Sequence, residues 1–345
     1  MRLSNAYAKG RINTAGCTKL AVFFLICLCF FTACPLNASG VDSGAFPYVV
    51  NGKLYSFTPD VQKKIGEGYT QSSVSASKKA GYILAWNQKK QRLYHFAGQK
   101  SAANVELKAS LVYMGANYVL AQNSSFTDNK GFSFTLYSIK YSSNGRKLKL
   151  RSVWTGFVDC FVSDFFFTAD GVCIAGGTRD DSKSNAFYIT GNSIHKCFSV
   201  EKNSDFLRLV PAADSKKVYA FVSTRDKSER APVIYSFDMN DAPDQAVTID
   251  LSGDPLLPAG FDCFFGYGFS AVLPTVVDGV IQFICYDSAT GKITGVVPDA
   301  VGCMAPLATT PDGTYYIARD PLLEDSWYGI ALFTGTECKK IIKFF

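Results

Sequence analysis

The side chains with most chemistry to offer in this 345-residue chain are two histidines and a recurring Arg-Asp pair. General acid-base work favours histidine. His95 lies inside the apolar segment "LYHF" (93 to 96), where a hydrogen-bonded structural imidazole is expected, and His195 follows "TGNS", a turn-like stretch that would face solvent. With two histidines and no H-x-x-x-H, a multi-histidine metal site is excluded. The stretch "TRDDSK" (178 to 183) lacks the D-x-D-x-D-G spacing of a calcium loop and puts an arginine among the would-be ligands. "GYGF" (266 to 269) and "AGGT" (175 to 178) lack the remainder of any phosphate-cradling motif, and read as crowding or bulge glycines in strands. No cofactor, metal or catalytic residue is therefore expected.

The Arg-Asp pair is written three times: "TRDDSK", "TRDKSE" (224 to 229) and "ARDPLL" (318 to 323). Arg179 and Arg225 are 46 residues apart and Arg225 and Arg319 are 94, close to twice that period. An independent landmark is an apolar segment, "LYSF", "LYHF", "LYSI", "FYIT", "IYSF", "QFIC" or "ALFT". It recurs at Tyr55, Tyr94, Tyr137, Tyr188, Tyr235, Phe283 and Leu332, in steps of 39, 43, 51, 47, 48 and 49. Seven copies at such a period predict a repeat architecture. Within one copy, "FLRLVPA", "KVYAFVS", "PVIYSFD" and "AVTIDLS" (from 206) are strand-like and separated by turn-rich segments. The second is continuously apolar, as a strand covered on both faces must be, and the fourth alternates. The chain is thus expected to be all-β: a β-propeller of seven four-stranded blades, with six blades and an extra hairpin as the competing count.

The first unit, near Phe46, lacks a segment for its innermost strand, and opens on "VVNGKL", whose Asn-Gly pair is a strong hairpin signal. "TADGVCIA" (168 to 175) and "TPDGTYYIA" (310 to 318) resemble the "SPDG…IA" core of TolB-type and related WD-like propeller repeats. Only a few residues per unit match, so the resemblance implies a fold and no activity. "RKLKLR" (146 to 151) puts cations on alternate positions, as an outer edge strand protected against edge-to-edge pairing would; a basic patch is the other reading.

The chain begins with four basic and no acidic residues in 33, then "LAVFFLICLCFFTA" (20 to 33), 14 residues without a charge. As a helix that run would reach roughly 21 Å, short of a ~30 Å hydrocarbon core, so residues 1–33 read as a signal helix rather than a permanent span. "FTAC" (31 to 34) is similar to the lipobox of bacterial lipoproteins, in the relaxed form seen in spirochaetes. That resemblance implies that Cys34 becomes the first mature residue, carrying a diacylglycerol thioether and an N-linked acyl chain such as palmitate. Such an anchor holds durably without a transmembrane helix. Residues 34–45 would be a flexible tether of about 18 Å root-mean-square span and 46–345 the propeller. The expected address is the bacterial cell envelope, at a membrane reached through the lipid.

Loss of the signal leaves 31 Lys+Arg against 29 Asp+Glu, a net +2, so no nucleic-acid partner is expected. Seven cysteines remain: Cys160, Cys173, Cys197, Cys263, Cys285, Cys303 and Cys338. They read mainly as small buried hydrophobes, with one or two bridges open to an exported protein. In a propeller, Arg179, Asp180, Arg225, Asp226, Arg319 and Asp320 would fall between second and third strands and gather on one face. The plainer reading has each pair bracing its own loop; the functional reading is a charged ring that docks a protein partner. Three functions follow: an envelope interaction or assembly scaffold; a glycan or small-solute binder at the axial opening, suggested by 28 Phe, 18 Tyr and 3 Trp; and a hydrolase or lyase using Asp, Glu, Arg and Tyr.

Overall fold

Asn51 and Gly52 adopt φ of 50° and 73°, the left-handed values a two-residue hairpin of this twist requires. The strands they join open a computed structural model that describes residues 46–344, apart from 59–60, 80, 124–129, 179, 181, 202–203, 212–216, 225–232, 250–253, 257–260, 265–271, 278–279, 288–291, 298–301, 311 and 320–326. The expected signal helix, Cys34 and the tether lie outside the described residues.

Seven antiparallel sheets follow one another along the chain. The first has three strands: β1 (Phe46–Val50), β2 (Lys53–Thr58) and β3 (Val61–Glu67). Six four-stranded blades follow. The second sheet holds β4 (Val74–Ala76), β5 (Tyr82–Asn87), β6 (Arg92–Ala97) and β7 (Lys100–Glu106); the third β8 (Leu111–Met114), β9 (Tyr118–Gln122), β10 (Phe132–Tyr141) and β11 (Leu148–Val158). The fourth holds β12 (Phe161–Phe167), β13 (Gly171–Gly177), β14 (Lys183–Thr190) and β15 (Ser193–Glu201); the fifth β16 (Ser204–Pro211), β17 (Lys217–Thr224), β18 (Val233–Asp238) and β19 (Val247–Ile249). The sixth holds β20 (Phe261–Phe264), β21 (Val272–Val277), β22 (Val280–Asp287) and β23 (Lys292–Val297); the seventh β24 (Gly302–Thr310), β25 (Gly313–Arg319), β26 (Tyr328–Phe333) and β27 (Cys338–Lys343). Each strand pairs with its neighbour in sequence. This is a β-propeller. The expected seven four-stranded blades are corrected to six, because the repeating landmark counts one strand per unit and is blind to how many strands accompany it.

The core lies between the sheets. Along β5, Ile83 and Ala85 join a cluster with Val49 and Leu54 of the first sheet, while Leu84 and Trp86 join another with Val112 and Val119 of the third. Along β13, Val172 and Ile174 pack toward the third sheet and Cys173 and Ala175 toward the fifth. A second strand sends alternate side chains to opposite neighbours, and both must be apolar. Phe46, Tyr48 and Val50 pack against Tyr315, Ile317, Ile330 and Leu332 of the seventh sheet, which closes the ring.

Direction along the chain places β1 to β3 as second, third and fourth strands, so the innermost is the one the first sheet lacks. That leaves an inner edge on β1. Val50 faces Lys53 across the two-residue turn, a hydrogen-bonded pair, so Pro47 and Val49 point their backbone groups to the open edge. Pro47 has no N–H to leave unpaired. The Val49 N–H donates to Gln71 Oε1 at 2.8 Å, from the 3₁₀ turn Gln71–Ser73. Two side-chain choices thus supply what a missing strand would have supplied. Gln71→Ala strands a buried donor and is expected to cost about 1–3 kcal/mol, measured as a lower urea midpoint with unchanged slope; an unaltered midpoint would show that the edge needs no cap.

Candidate functional site

Chain direction alternates from strand to strand, so connections between second and third strands, and those between blades, share one face of the ring. The three Arg-Asp connections join β13 to β14, β17 to β18 and β25 to β26, and the strand ends that flank them therefore lie on that face. Arg179, Arg225, Asp226 and Asp320 lie outside the described residues, and of Arg319 only the backbone place is described, as the last residue of β25 opposite Gly302 and Tyr328. Asp180 is described fully. Its Oδ1 accepts from Thr178 Oγ1 at 2.6 Å, Ser182 Oγ at 2.8 Å and the Ser182 N–H at 3.1 Å. Those donors, Thr178 foremost, hold its carboxyl down at about 2 although it is fully exposed. Asp180 therefore braces its own turn while keeping its charge at the surface.

What the sequence reading missed stands beside it. Phe161 opens β12 directly opposite Gly177, one residue before the Thr178 turn, and is 52% exposed. Phe157, near the end of β11, is 45% exposed, with the Lys130 ammonium 5.6 Å from its ring centre. Phe132 pairs with Val158 and meets the Phe161 ring edge-on at 4.9 Å while almost buried itself; Phe157, paired with Ser133, faces the other side of the sheet. The backbone explains the exposure. A bulge at Ser163 brings the Phe161 carbonyl so close to β13 that a Cβ on Gly176 would lie 1.7 Å from it. Gly176 of "AGGT" is a crowding glycine. Register shifts recur near the same end of β16, β20 and β24, at Asp205, Asp262 and Met304. No sequence period announces them.

Both histidines tie one sheet to the next. His95 is fully buried in β6. Its Nδ1 donates to the Gly145 carbonyl at 3.1 Å, in the turn between β10 and β11, which leaves Nε2 of the neutral ring to accept from Ser77 Oγ at 3.0 Å. A serine bonded to an imidazole has the form of a nucleophile and its base. Ser77 is only 4% exposed, however, and the ring is stacked on Tyr82 at 4.5 Å, so the pair is sealed from any substrate. His195 is not in a turn: it is the third residue of β15, half-buried, with Nε2 donating to the Asp241 carbonyl at 2.6 Å. The local pattern hid this because Asp241 belongs to the following blade.

Cys160, Cys173 and Cys197 are buried, and Cys285 and Cys338 are half-buried. Cys173 and Cys197 interact, yet stand on strands separated by β14, about 9–10 Å at the backbone, beyond the span of a disulfide. Among the described residues no group of three or more His, Cys, Asp or Glu could hold a metal, and no helix is long and apolar enough to cross a membrane.

A second feature lies at the closing seam. A cleft of about 330 Å³ is lined by Val50, Tyr55, Gln62, Lys343 and Phe344. Tyr48, fully buried, stacks at 5.3 Å on both Tyr55 and Phe344, and its hydroxyl accepts from the Gln62 amide.

No protein-family model matches the chain, and no curated protein matches it. Among solved structures it is similar to a functionally unknown protein from Desulfotomaculum acetoxidans, with TM-score 0.53 at 12% identity over 86% of this chain and 94% of that one. It is also similar to the acylaminoacyl peptidase of Pyrococcus horikoshii, with TM-score 0.52 at 10% identity over 89% of this chain and 54% of that one. The WD40 domain of Toxoplasma gondii coronin matches at TM-score 0.44 and 9% identity, over 86% and 77%. The chain spans about half of the peptidase. Likeness this distant in sequence shows the fold, a β-propeller.

Burial, aided by the Lys79 charge, outweighs the opposing Gly145 bond and pushes His95 below its ordinary value. The unfolded chain therefore takes up the proton first as pH falls; the stabilisation is intact above about pH 6.5 and is lost as pH drops toward the folded value. Urea midpoints at pH 7.5 and 5.5 should fall further in the wild type than in His95→Gln, and parallel falls would contradict this.

Proposed function

We propose that the protein is a lipid-anchored, envelope-facing β-propeller that acts as a protein-interaction or assembly scaffold, docking its partner on the face of the Arg-Asp connections. The observation that carries this reading is the exposure of Phe157 and Phe161 at that face, Phe161 backed by Phe132 and standing beside the Asp180 turn, Phe157 bordered by the Lys130 ammonium. Aromatic anchors on a rigid support, ringed by polar groups, are what binding energy concentrates on in protein interfaces. The propeller supplies the rigidity. The lipobox-like "FTAC" supports the anchor at Cys34, and the tether of residues 34–45 would keep the body near its membrane. Resemblance to TolB-type and WD-like repeats fits the same role without assigning a partner.

A second reading, binding of a glycan or small solute, is favoured by the seam cleft, where the Tyr55 and Phe344 rings, an amide and an ammonium converge. Stabilisation by a member of a sugar and metabolite panel, abolished in Tyr55→Ala, would favour it over the scaffold.

Two measurements test the main reading. Cys34→Ala should abolish incorporation of radiolabelled palmitate and release the protein from the membrane fraction; continued labelling would place the lipid elsewhere. Crosslinking of native envelopes followed by mass spectrometry should recover a partner with the wild type and at least about tenfold less with Phe157→Ser/Phe161→Ser. Replacing all six residues of the Arg-Asp turns by Ala should weaken capture further, and equal recovery from every variant would remove the face from the proposal.

A further inference from the structure

The 29 residues from Lys130 to Val158 contain six cations, Lys130, Lys140, Arg146, Lys147, Lys149 and Arg151, and no Asp or Glu. All six are exposed. The chain after residue 33 carries only +2 in total, so the third sheet holds more than the net charge of the whole and the remainder is acidic. Among the described residues, no acidic side chain forms a salt bridge with Lys140, Arg146, Lys147, Lys149 or Arg151.

The arrangement works against the sheet it belongs to. Lys140 on β10 lies directly opposite Lys149 on β11, and Arg151 lies two residues further along the same face. Like charges facing each other across a strand pair destabilise it. Protection of an edge from self-pairing accounts for Lys149 and Arg151, which sit on the outermost strand. It does not account for Lys140, on an interior strand, or for Lys130 in the connection before it. β11 is also long, 11 residues, paired with β10 on one edge only, and among the described residues no strand pairs with its other edge. A bulge between Ser152 and Trp154 reverses its facing: exposed Lys149 and Arg151 share a face with buried Trp154 and Val158, while exposed Thr155 and Phe157 share the other with buried Leu148. Near its end stands exposed Phe157, on the opposite face from Lys149 and Arg151.

We infer that the outer edge of the third sheet is a docking track for an acidic, extended polypeptide segment that lies along β11, with carboxylates at alternate residues on one face and, on its other face, an apolar residue seated at Phe157. The inference deepens the scaffold reading and rests on it. Cations with a two-residue period, about 6–7 Å apart, are matched by carboxylates of the same period on an added strand. A lipid surface or a nucleic acid offers phosphates without that period and no partner for the phenylalanine.

The test uses the full-length protein in detergent and a fluorescein-labelled ten-residue peptide of alternating Glu and Thr ending in Phe, followed by anisotropy at low salt. Binding should weaken at least about tenfold in Lys149→Glu/Arg151→Glu, and remain unchanged in Lys63→Glu/Lys292→Glu, on the first and sixth sheets. A peptide of the same composition with its glutamates in one block should bind more weakly. Lys149→Glu alone should raise the melting temperature by on the order of 1 °C, because it turns the Lys140 contact from repulsive to attractive; lost binding then cannot be ascribed to lost folding. The inference is overturned if the double variant binds the peptide as well as the wild type, if the blocked peptide binds equally, or if dihexanoylphosphatidylglycerol or a ten-nucleotide thymidine oligomer displaces the peptide more effectively at equal charge. If the peptide fails while Phe157 and Phe161 still govern partner capture, only the acidic-strand inference falls; if capture is indifferent to them, the scaffold reading falls with it.

Discussion

A sheet in this ring has no solvent-facing side: each must be apolar on both faces because a neighbour covers each. The clusters on either side of β5, and again of β13, show the constraint at the level of single residues, with consecutive side chains assigned to different blades. Stability is then distributed over seams, and the closing seam faces the same demand with one strand fewer. Tyr48, Val50 and Phe57 fill it against the seventh sheet, and Pro47 and Gln71 dispose of the backbone donors that the missing inner strand would have taken. Hydrogen bonds between blades add direction to this packing. His95 and His195 each reach from one sheet to the connection between the third and fourth strands of the next sheet in sequence, and Asp164 of β12 accepts the Leu209 N–H of β16 at 2.8 Å.

The same constraint explains what was legible in the sequence. A second strand buried on both faces has to be written as "YILAW", "VCIA" or "KVYAFV", and an Asn-Gly turn has to bear positive φ; both are local signals, and both led to the right architecture. The missing innermost strand of the first unit was legible too; the partners of the histidines are settled across blades, where no local pattern reports them. Exposure of Phe157 and Phe161 was illegible for a related reason. In a chain with 28 phenylalanines the expectation for any one is the core, and only the bulge at Ser163 and the crowding at Gly176 turn Phe161 outward. The Arg-Asp repeat was legible as a period. Its chemistry was not, since whether a carboxylate braces its loop, as Asp180 does, depends on hydroxyls at Thr178 and Ser182 that are ordinary turn residues by type.

Local rules and the global fold agree nearly everywhere in this molecule, which gives weight to the places where they do not. A sequence selected for folding alone would put an acid opposite Lys149, or a neutral residue at 140; threonine there would satisfy β10 equally well. Likewise it would not leave two phenylalanines about half exposed on a rigid support when Ser or Thr would cost the core nothing. Both departures fall on the third sheet and its junction with the fourth, and the buried residues beneath them are fully committed to packing. The ring is therefore best understood as a frame whose seams fix the position of a single irregular sector. Because that sector's departures are electrostatic on the perimeter and apolar at the rim, a partner that relieves both must be acidic along its length and apolar at one end. That pairing of properties is what separates recognition by this surface from generic attraction to any anion.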